Sequence, residues 1–203
     1  IRIYDYGTRE NNMPFILMEY FVGDTLEDLT TARTLSLGQK CRILEQLAEA
    51  LAAIHQVGIC HRDLKPANVL VNDGLYAKLM DFGIARLRDS SLTETTDVFG
   101  TPAYLSPEGF NSAKVDHRSD IFSFGSLAYK LFTGQAAFAA ESIPAIANKV
   151  AYEDPVWPRQ LNPDFPKSLD KIIRRTLRKE PGKRYQSAAA VLQDLHAAHR
   201  KLR

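Results

Sequence analysis

The sequence predicts an α+β fold in which a short β-hairpin precedes a body made mostly of helices. Three patterns in the chain lead there. Residues 1–6, Ile-Arg-Ile-Tyr-Asp-Tyr, alternate and are rich in β-branched and aromatic side chains, and residues 14–20 read as a second strand after a turn at 7–12. From Ser36 onward apolar residues recur at helical spacing, first as Leu37, Cys41, Leu44, Leu47, Ala48, Leu51 and Ile54. Two short apolar runs, 69–71 and 77–80, flank Asn72-Asp73-Gly74 and predict a second hairpin set among the helices.

Size and composition narrow the function class. The chain has 203 residues, 45% hydrophobic and 25% charged, which is ordinary for a soluble globular protein of one or two domains. A net charge of +2 gives no footprint for nucleic acid. No run of eighteen apolar residues occurs and no signal peptide opens the chain. The basic end, His199-Arg200-Lys201-Leu202-Arg203, reads either as a solvated helix end or as a juxtamembrane segment leading to a membrane tether beyond Arg203. Cys41 and Cys60 are expected as buried free thiols, which suits a reducing, cytoplasmic setting, including the cytoplasmic face of a membrane.

The elements follow in order. Residues 24–31 read as a short helix. Ser36 with Gln39 is a capping-box pattern that opens a long helix, and Gly58 ends it. Its apolar stripe is core, and it serves to hold the following loop rigidly. Residues 89–97 are polar and rich in hydroxyls, as a mobile loop should be. Residues 116–134 read as a mostly buried helix through Ile121, Phe122, Phe124, Leu127, Ala128 and Leu131, with Gly134 as its stop. Asp120 lies near its start. An acid in so apolar a stretch needs hydrogen-bond partners; a plain helix cap is the other reading. Later helices are predicted at 144–152, 168–177 and 187–200, with Pro155, Pro158, Pro163 and Pro166 punctuating a connection. His196 and His199 are three apart on the last helix and read as an exposed face rather than a metal site, with no carboxylate or third histidine expected nearby.

The stretch that carries chemistry is His61-Arg62-Asp63-Leu64-Lys65-Pro66-Ala67-Asn68-Val69-Leu70. Asp63 is placed to accept a proton, Lys65 to meet negative charge, and Asn68 to supply a metal-binding oxygen. The hairpin formed by 69–71 and 77–80 brings Asn68 and Asp81 to the same end. One oxygen from each then suits a hard cation such as magnesium.

Taken as an ordered set, these residues resemble the protein kinases. The chain carries His-Arg-Asp-Leu-x-x-x-Asn at 61–68, Asp-Phe-Gly at 81–83, and Ser106-Pro107-Glu108 in place of Ala-Pro-Glu. Asp63-Leu64-Lys65-Pro66-Ala67-Asn68 followed by Gly100-Thr101-Pro102-Ala103-Tyr104 is similar to Ser/Thr rather than Tyr kinases, and the wording resembles the bacterial members most. The resemblance implies a protein-kinase-like fold: residues 1–22 would be the end of the N-lobe, a remnant β-hairpin and hinge, and 23–203 a mostly helical C-lobe. It further implies that the Gly-rich loop, the strand lysine and its helix glutamate precede the first residue. The chain would then be a catalytic-domain fragment, inactive by itself.

The same resemblance implies the roles. Asp63, Lys65 and Asn68 would be catalytic, Asn68 and Asp81 would hold magnesium, and ATP would lie against Glu19, Phe21 and Leu70, with Met18 as gatekeeper. Asp63 would take the proton of a protein Ser or Thr hydroxyl. The Asp81–Glu108 stretch would be the activation segment, with phosphorylation on Thr93, Thr95 or Thr96 and Arg62 as the phosphate partner. Autophosphorylation would bring two copies of the chain together as a homodimer. Thr101 would sit near Asp63 and Lys65. His61, Phe82, Gly83, Asp120 and the pair Glu108–Arg184 would be structural. Ala67 stands where several kinases that prefer basic peptides have glutamate; Asp24, Glu27 and Asp28 are acids that favour a basic substrate or are merely solvated. Two other readings remain. A pseudokinase would lack a metal or catalytic acid, and Asp63, Asn68 and Asp81 are all present. A small-molecule phosphotransferase would lack the 100–108 element, which is present.

Overall fold

The computed structural model describes residues 1–9, 12–81, 102–110 and 115–202. The chain opens with the antiparallel pair β1 (Ile3–Thr8) and β2 (Pro14–Met18), whose register slips between Ile3 and Asp5. β1 starts later than the alternation suggested and runs on through Gly7 and Thr8. The turn is tighter than read: the Arg9 N–H donates to the Met13 carbonyl at 2.9 Å, and Asn12 takes a φ of 59°.

A second sheet has the order β3-β4-β5, all antiparallel, with β3 at Asp24–Thr25, β4 at Val69–Val71 and β5 at Ala77–Leu79. Residues 24 and 25 therefore belong to a strand, paired with Val71 and Leu70. The helix expected from residue 24 begins at Leu26, because the Thr25 hydroxyl accepts from the Asp28 N–H at 3.1 Å and caps it. This helix is α1, Leu26–Ala32. The β4–β5 connection is wider than the Asn72-Asp73-Gly74 turn read from sequence. The Asn72 N–H reaches the Tyr76 carbonyl at 3.1 Å, and the left-handed position falls on Leu75 (φ 59°), whose side chain is buried. Gln46 braces that loop from a helix: its amide nitrogen donates to the Leu75 carbonyl at 2.8 Å and its amide oxygen accepts from the Ala77 N–H at 3.0 Å.

The helices make the rest. α2 (Leu37–Gln56) forms the complete capping box, Ser36 Oγ accepting from the Gln39 N–H at 3.2 Å and Gln39 Oε1 from the Ser36 N–H at 2.8 Å. α4 (His117–Thr133) is the most buried helix; Asp116 caps its start and Gly134, at φ +77°, closes its end through an N–H bond to Lys130 O at 2.8 Å. α5 (Ile143–Tyr152), α7 (Lys167–Thr176) and α8 (Ala188–Arg200) lie within a residue of the expected spans. Two single-turn helices were not expected, α3 (Pro107–Phe110) and α6 (Pro158–Leu161). Pro158 read as part of a connection and Pro107 as part of a motif, yet proline at a first helical position is favoured, since its missing N–H has no helical partner to lose.

The core lies among α2, α4, α7 and α8 and extends under β4 and β5. Both cysteines are free thiols; Cys41 is buried, and burial pushes its thiol up to about 11. Cys60 is only half-buried, because its segment is the surface link between α2 and the loop that follows. The expectation of no carboxylate near His199 fails in space: Glu45 of α2 meets its Nδ1 at 3.0 Å where α8 packs on α2. No group of three metal-type ligands gathers among the described residues, and no helix among them is long and apolar enough to cross a membrane.

The α4–α7 contact depends on Gly125. A Cβ there would lie 2.3 Å from Thr176 Oγ1 and 2.8 Å from Thr176 Cβ, and Thr176 is fully buried. Gly125→Ala is expected to destabilise the fold by about 1–3 kcal/mol in denaturant unfolding, despite the helix propensity of alanine. Thr176→Ala in the same chain should recover part of that loss.

Candidate active site

The His61–Leu70 loop is held from below by one carboxylate. Asp120, on the first turn of α4 and 1% exposed, accepts from the His61 N–H and the Arg62 N–H, each at 2.8 Å, one on each oxygen. His55, at the end of α2, meets the same carboxylate at 2.8 Å through Nε2. Arg62 needs the grip, because its φ of 65° is a left-handed conformation that costs a non-glycine residue energy. The helix cap is Asp116, so Asp120 is left for the loop. The plain helix-cap reading of Asp120 therefore does not hold.

His61 is buried and wired into the backbone. Its Nε2 lies 2.9 Å from the Met80 carbonyl, and its Nδ1 faces the Asp63 N–H at 3.3 Å. The carbonyl can only accept, so Nε2 carries the proton and Nδ1 accepts. Burial lowers the ring's pKa, which keeps it neutral. It acts as a strut between the loop and the end of β5.

Above that base Asp63, Lys65 and Asn68 converge. A 3₁₀ turn at Pro66–Asn68 swings Asn68 back, so its amide nitrogen donates to both the Asp63 carbonyl and Asp63 Oδ2 at 2.8 Å. The Lys65 ammonium lies 3.2 Å from the same Oδ2. Both amide hydrogens of Asn68 are thereby used, leaving Oδ1 as the oxygen for a cation. The Asn68 carbonyl accepts from the Met80 N–H at 2.9 Å, which sets Asp81 beside it at the end of β5. Asp81 is exposed and also left-handed, at φ 49°. One exposed carboxylate and one amide oxygen suit magnesium, which keeps most of its shell for water and substrate phosphate.

At the other wall, Leu70 lies half-buried in β4. Glu19 and Phe21 follow β2; the Glu19 N–H is used by the Arg2 carbonyl at 2.8 Å. Among the described residues no hydrogen bond takes the Glu19 carbonyl or the Phe21 amide, which leaves one acceptor and one donor for a planar base.

Behind the loop, Glu108 and Arg184 form a bidentate pair at 2.6 and 2.8 Å. The three remaining N–H groups of the guanidinium reach the carbonyls of Arg178, Arg118 and Lys179 at 2.7, 2.9 and 2.8 Å. All five donors of a fully buried arginine are satisfied, and its plane lies over Phe122. Ser119 adds a hydroxyl bond to Glu108 at 2.5 Å. Burial alone would raise the Glu108 pKa; the bonds from Arg184 and Ser119 outweigh it and hold the carboxyl below the usual glutamate range. Ser123 ties α4 to the Tyr104 carbonyl at 2.7 Å.

Phe82, Gly83, Thr93, Thr95, Thr96 and Thr101 lie outside the described residues. Sequence reasoning missed His55, Ser119 and Ser123. Each is a polar residue on an otherwise buried helix face, which is the one signal that marks them.

The protein kinase domain profile matches residues 1–196. Over 98% of its length the chain is 40% identical to the serine/threonine-protein kinase PknB of Mycolicibacterium smegmatis, of which that match covers 33%. The chain belongs to the protein kinase domain family. A probable serine/threonine-protein kinase of Clostridium acetobutylicum is 39% identical over 96% of the chain and 30% of its own length. The serine/threonine-protein kinase pkn3 of Myxococcus xanthus is 36% identical over the whole chain and 39% of its own length. The chain thus spans about a third of the length of these bacterial relatives. The kinase-like α+β fold expected from the motifs agrees with this membership.

Glu108→Gln leaves the Arg184 charge buried and unpaired, and is expected to cost about 3–5 kcal/mol at neutral pH. The Glu108 pKa is lowered in the folded chain, so its contribution is complete above the ordinary glutamate value of 4.5 and is lost as pH falls through the folded value. Unfolding titrations of the two proteins should accordingly converge in acid and diverge toward pH 7.

Proposed function

We propose that the protein is a serine/threonine protein kinase that transfers the γ-phosphoryl group of ATP to protein hydroxyls. The observation that carries this is the arrangement around Asp63. Its carboxylate is shared by Lys65 and the Asn68 amide, and Asn68 is bonded in turn to the residue before Asp81. Such a site presents a base, a cation and two oxygen ligands within one loop and one hairpin end.

In this reading Asp63 accepts a hydrogen bond from the target serine or threonine hydroxyl and turns its oxygen toward phosphorus. As the new P–O bond forms and the bond to the β–γ bridging oxygen breaks, the hydroxyl proton passes to Asp63. Lys65 neutralises charge that builds on the transferred group. Asn68 Oδ1 and the Asp81 carboxylate would hold magnesium, which would supply charge screening and orientation of the phosphate oxygens. The Glu19 carbonyl and Phe21 amide receive the adenine edge, with Leu70 beneath it. Asp120 and His61 do no chemistry; they keep the loop rigid, and positioning is most of what phosphoryl transfer asks of a protein. Intact Asp63, Asn68 and Asp81 argue against a pure binding module.

In the full-length polypeptide Asp63→Asn should lower turnover by at least about 100-fold with ATP binding retained, measured as phosphate transfer to a protein substrate. Near-full turnover in that variant would remove Asp63 as the base. Regulation is proposed at the hydroxyl cluster of residues 90–96, outside the described residues, with Arg62 as phosphate partner. Phosphopeptide mapping after incubation with ATP should find phosphate on Thr93, Thr95 or Thr96, transferred between two copies of the chain. Robust activity with this window unmodified would refute the regulatory reading.

A further inference from the structure

Lys78 has no part in the chemistry above, yet three features converge on it. It sits in β5 directly opposite Leu70 of β4. Residues facing each other across an antiparallel pair project from the same side of the sheet, so Lys78 and Leu70 share a face. Its ammonium is ion-paired with Glu19 Oε1, with both side chains about one-third exposed. The same ammonium lies 4.9 Å from the centre of the Phe21 ring. One side chain from the floor of the site thus grips both residues whose backbone groups would face adenine.

The surroundings sharpen this. The second oxygen of Glu19 accepts from the Arg2 N–H at 3.3 Å, so the carboxylate is fixed to β1 as well as to Lys78. Two residues past Phe21, Gly23 runs against β4 so closely that a Cβ would lie 2.7 Å from the Val71 carbonyl oxygen. The segment is therefore pinned against the second sheet at both ends. A solvated surface ion pair contributes little alone. Here the ammonium serves two partners, and its aromatic contact does not depend on the glutamate.

We propose that Lys78 is a positioning residue for the nucleotide site: by clamping the side chains of Glu19 and Phe21 it holds their backbone at a fixed height over Leu70. The clamp rests on the kinase reading for its use and not for its existence. It acts on binding of the base and leaves the Asp63 chemistry untouched, so its loss weakens ATP affinity more than turnover.

The test uses the full-length polypeptide with Lys78→Met, Lys78→Arg and the reversed pair Glu19→Lys with Lys78→Glu. Two measurements are made: amide hydrogen exchange of a peptide covering residues 19–22, and kcat and KM for ATP. Lys78→Met should raise exchange in that peptide and KM for ATP about fivefold each, with kcat within about twofold. Lys78→Arg should stay near wild type, and the reversed pair should recover at least half of the KM change. Unchanged exchange and unchanged KM in Lys78→Met overturn the clamp. An equal fall in kcat and thermal midpoint, without a KM change, overturns it too, because that marks a merely structural lysine. Faster exchange in Lys78→Met beside a wild type that transfers no phosphate supports the clamp and overturns the kinase reading instead.

Discussion

The grip of Asp120 on the backbone of His61 and Arg62 is the interaction on which the rest of the site depends. A left-handed arginine is an unfavourable thing to hold in a loop. Two charge-assisted bonds from a carboxylate that water cannot reach are strong enough to hold it. Because Asp120 belongs to the most buried helix, the loop inherits that helix's rigidity. His55 completes the joint from α2, so the loop is referenced to two helices at once. Asp63 and Asn68 can then share hydrogen bonds on the upper side without help from solvent.

The Arg184–Glu108 pair does for the following segment what Asp120 does for the loop. Glu108 stands on a single helical turn with little packing of its own, and a two-point bond to a buried arginine fixes it. A lysine would leave carbonyls of Arg178, Arg118 or Lys179 without a donor, since it offers three hydrogens where five are used. Desolvation makes such pairs costly to form, and removing one partner costs more because it strands the other charge.

The large helices and the loop that carries the candidate site were legible in the sequence because both leave local marks. α2 declares itself through its capping box and its apolar period, and the loop through residue types at fixed spacing. The joints were less legible. His55 reaches Asp120 across 65 residues, and Glu45 reaches His199 across 154, and no local pattern predicts either. The boundary at Thr25 was misread because a capping residue and a short strand compete for the same two positions, and pairing with β4 decides between them. The proline-initiated turn α6 was hidden because the same residue marks both a connector and a helix start.

Gln46 has a consequence beyond bracing a loop. Its side-chain amide presents a carbonyl and an N–H to the outer rim of β5, where a fourth strand would otherwise add. A helix residue thus imitates one peptide unit of a missing neighbour and takes up two groups at that rim, the Leu75 carbonyl and the Ala77 N–H. An open strand rim is a template for joining foreign chains. Here part of that template is occupied by the protein's own side chain, so among the described residues the three-stranded sheet beneath the candidate site offers fewer free groups to a strand from another molecule.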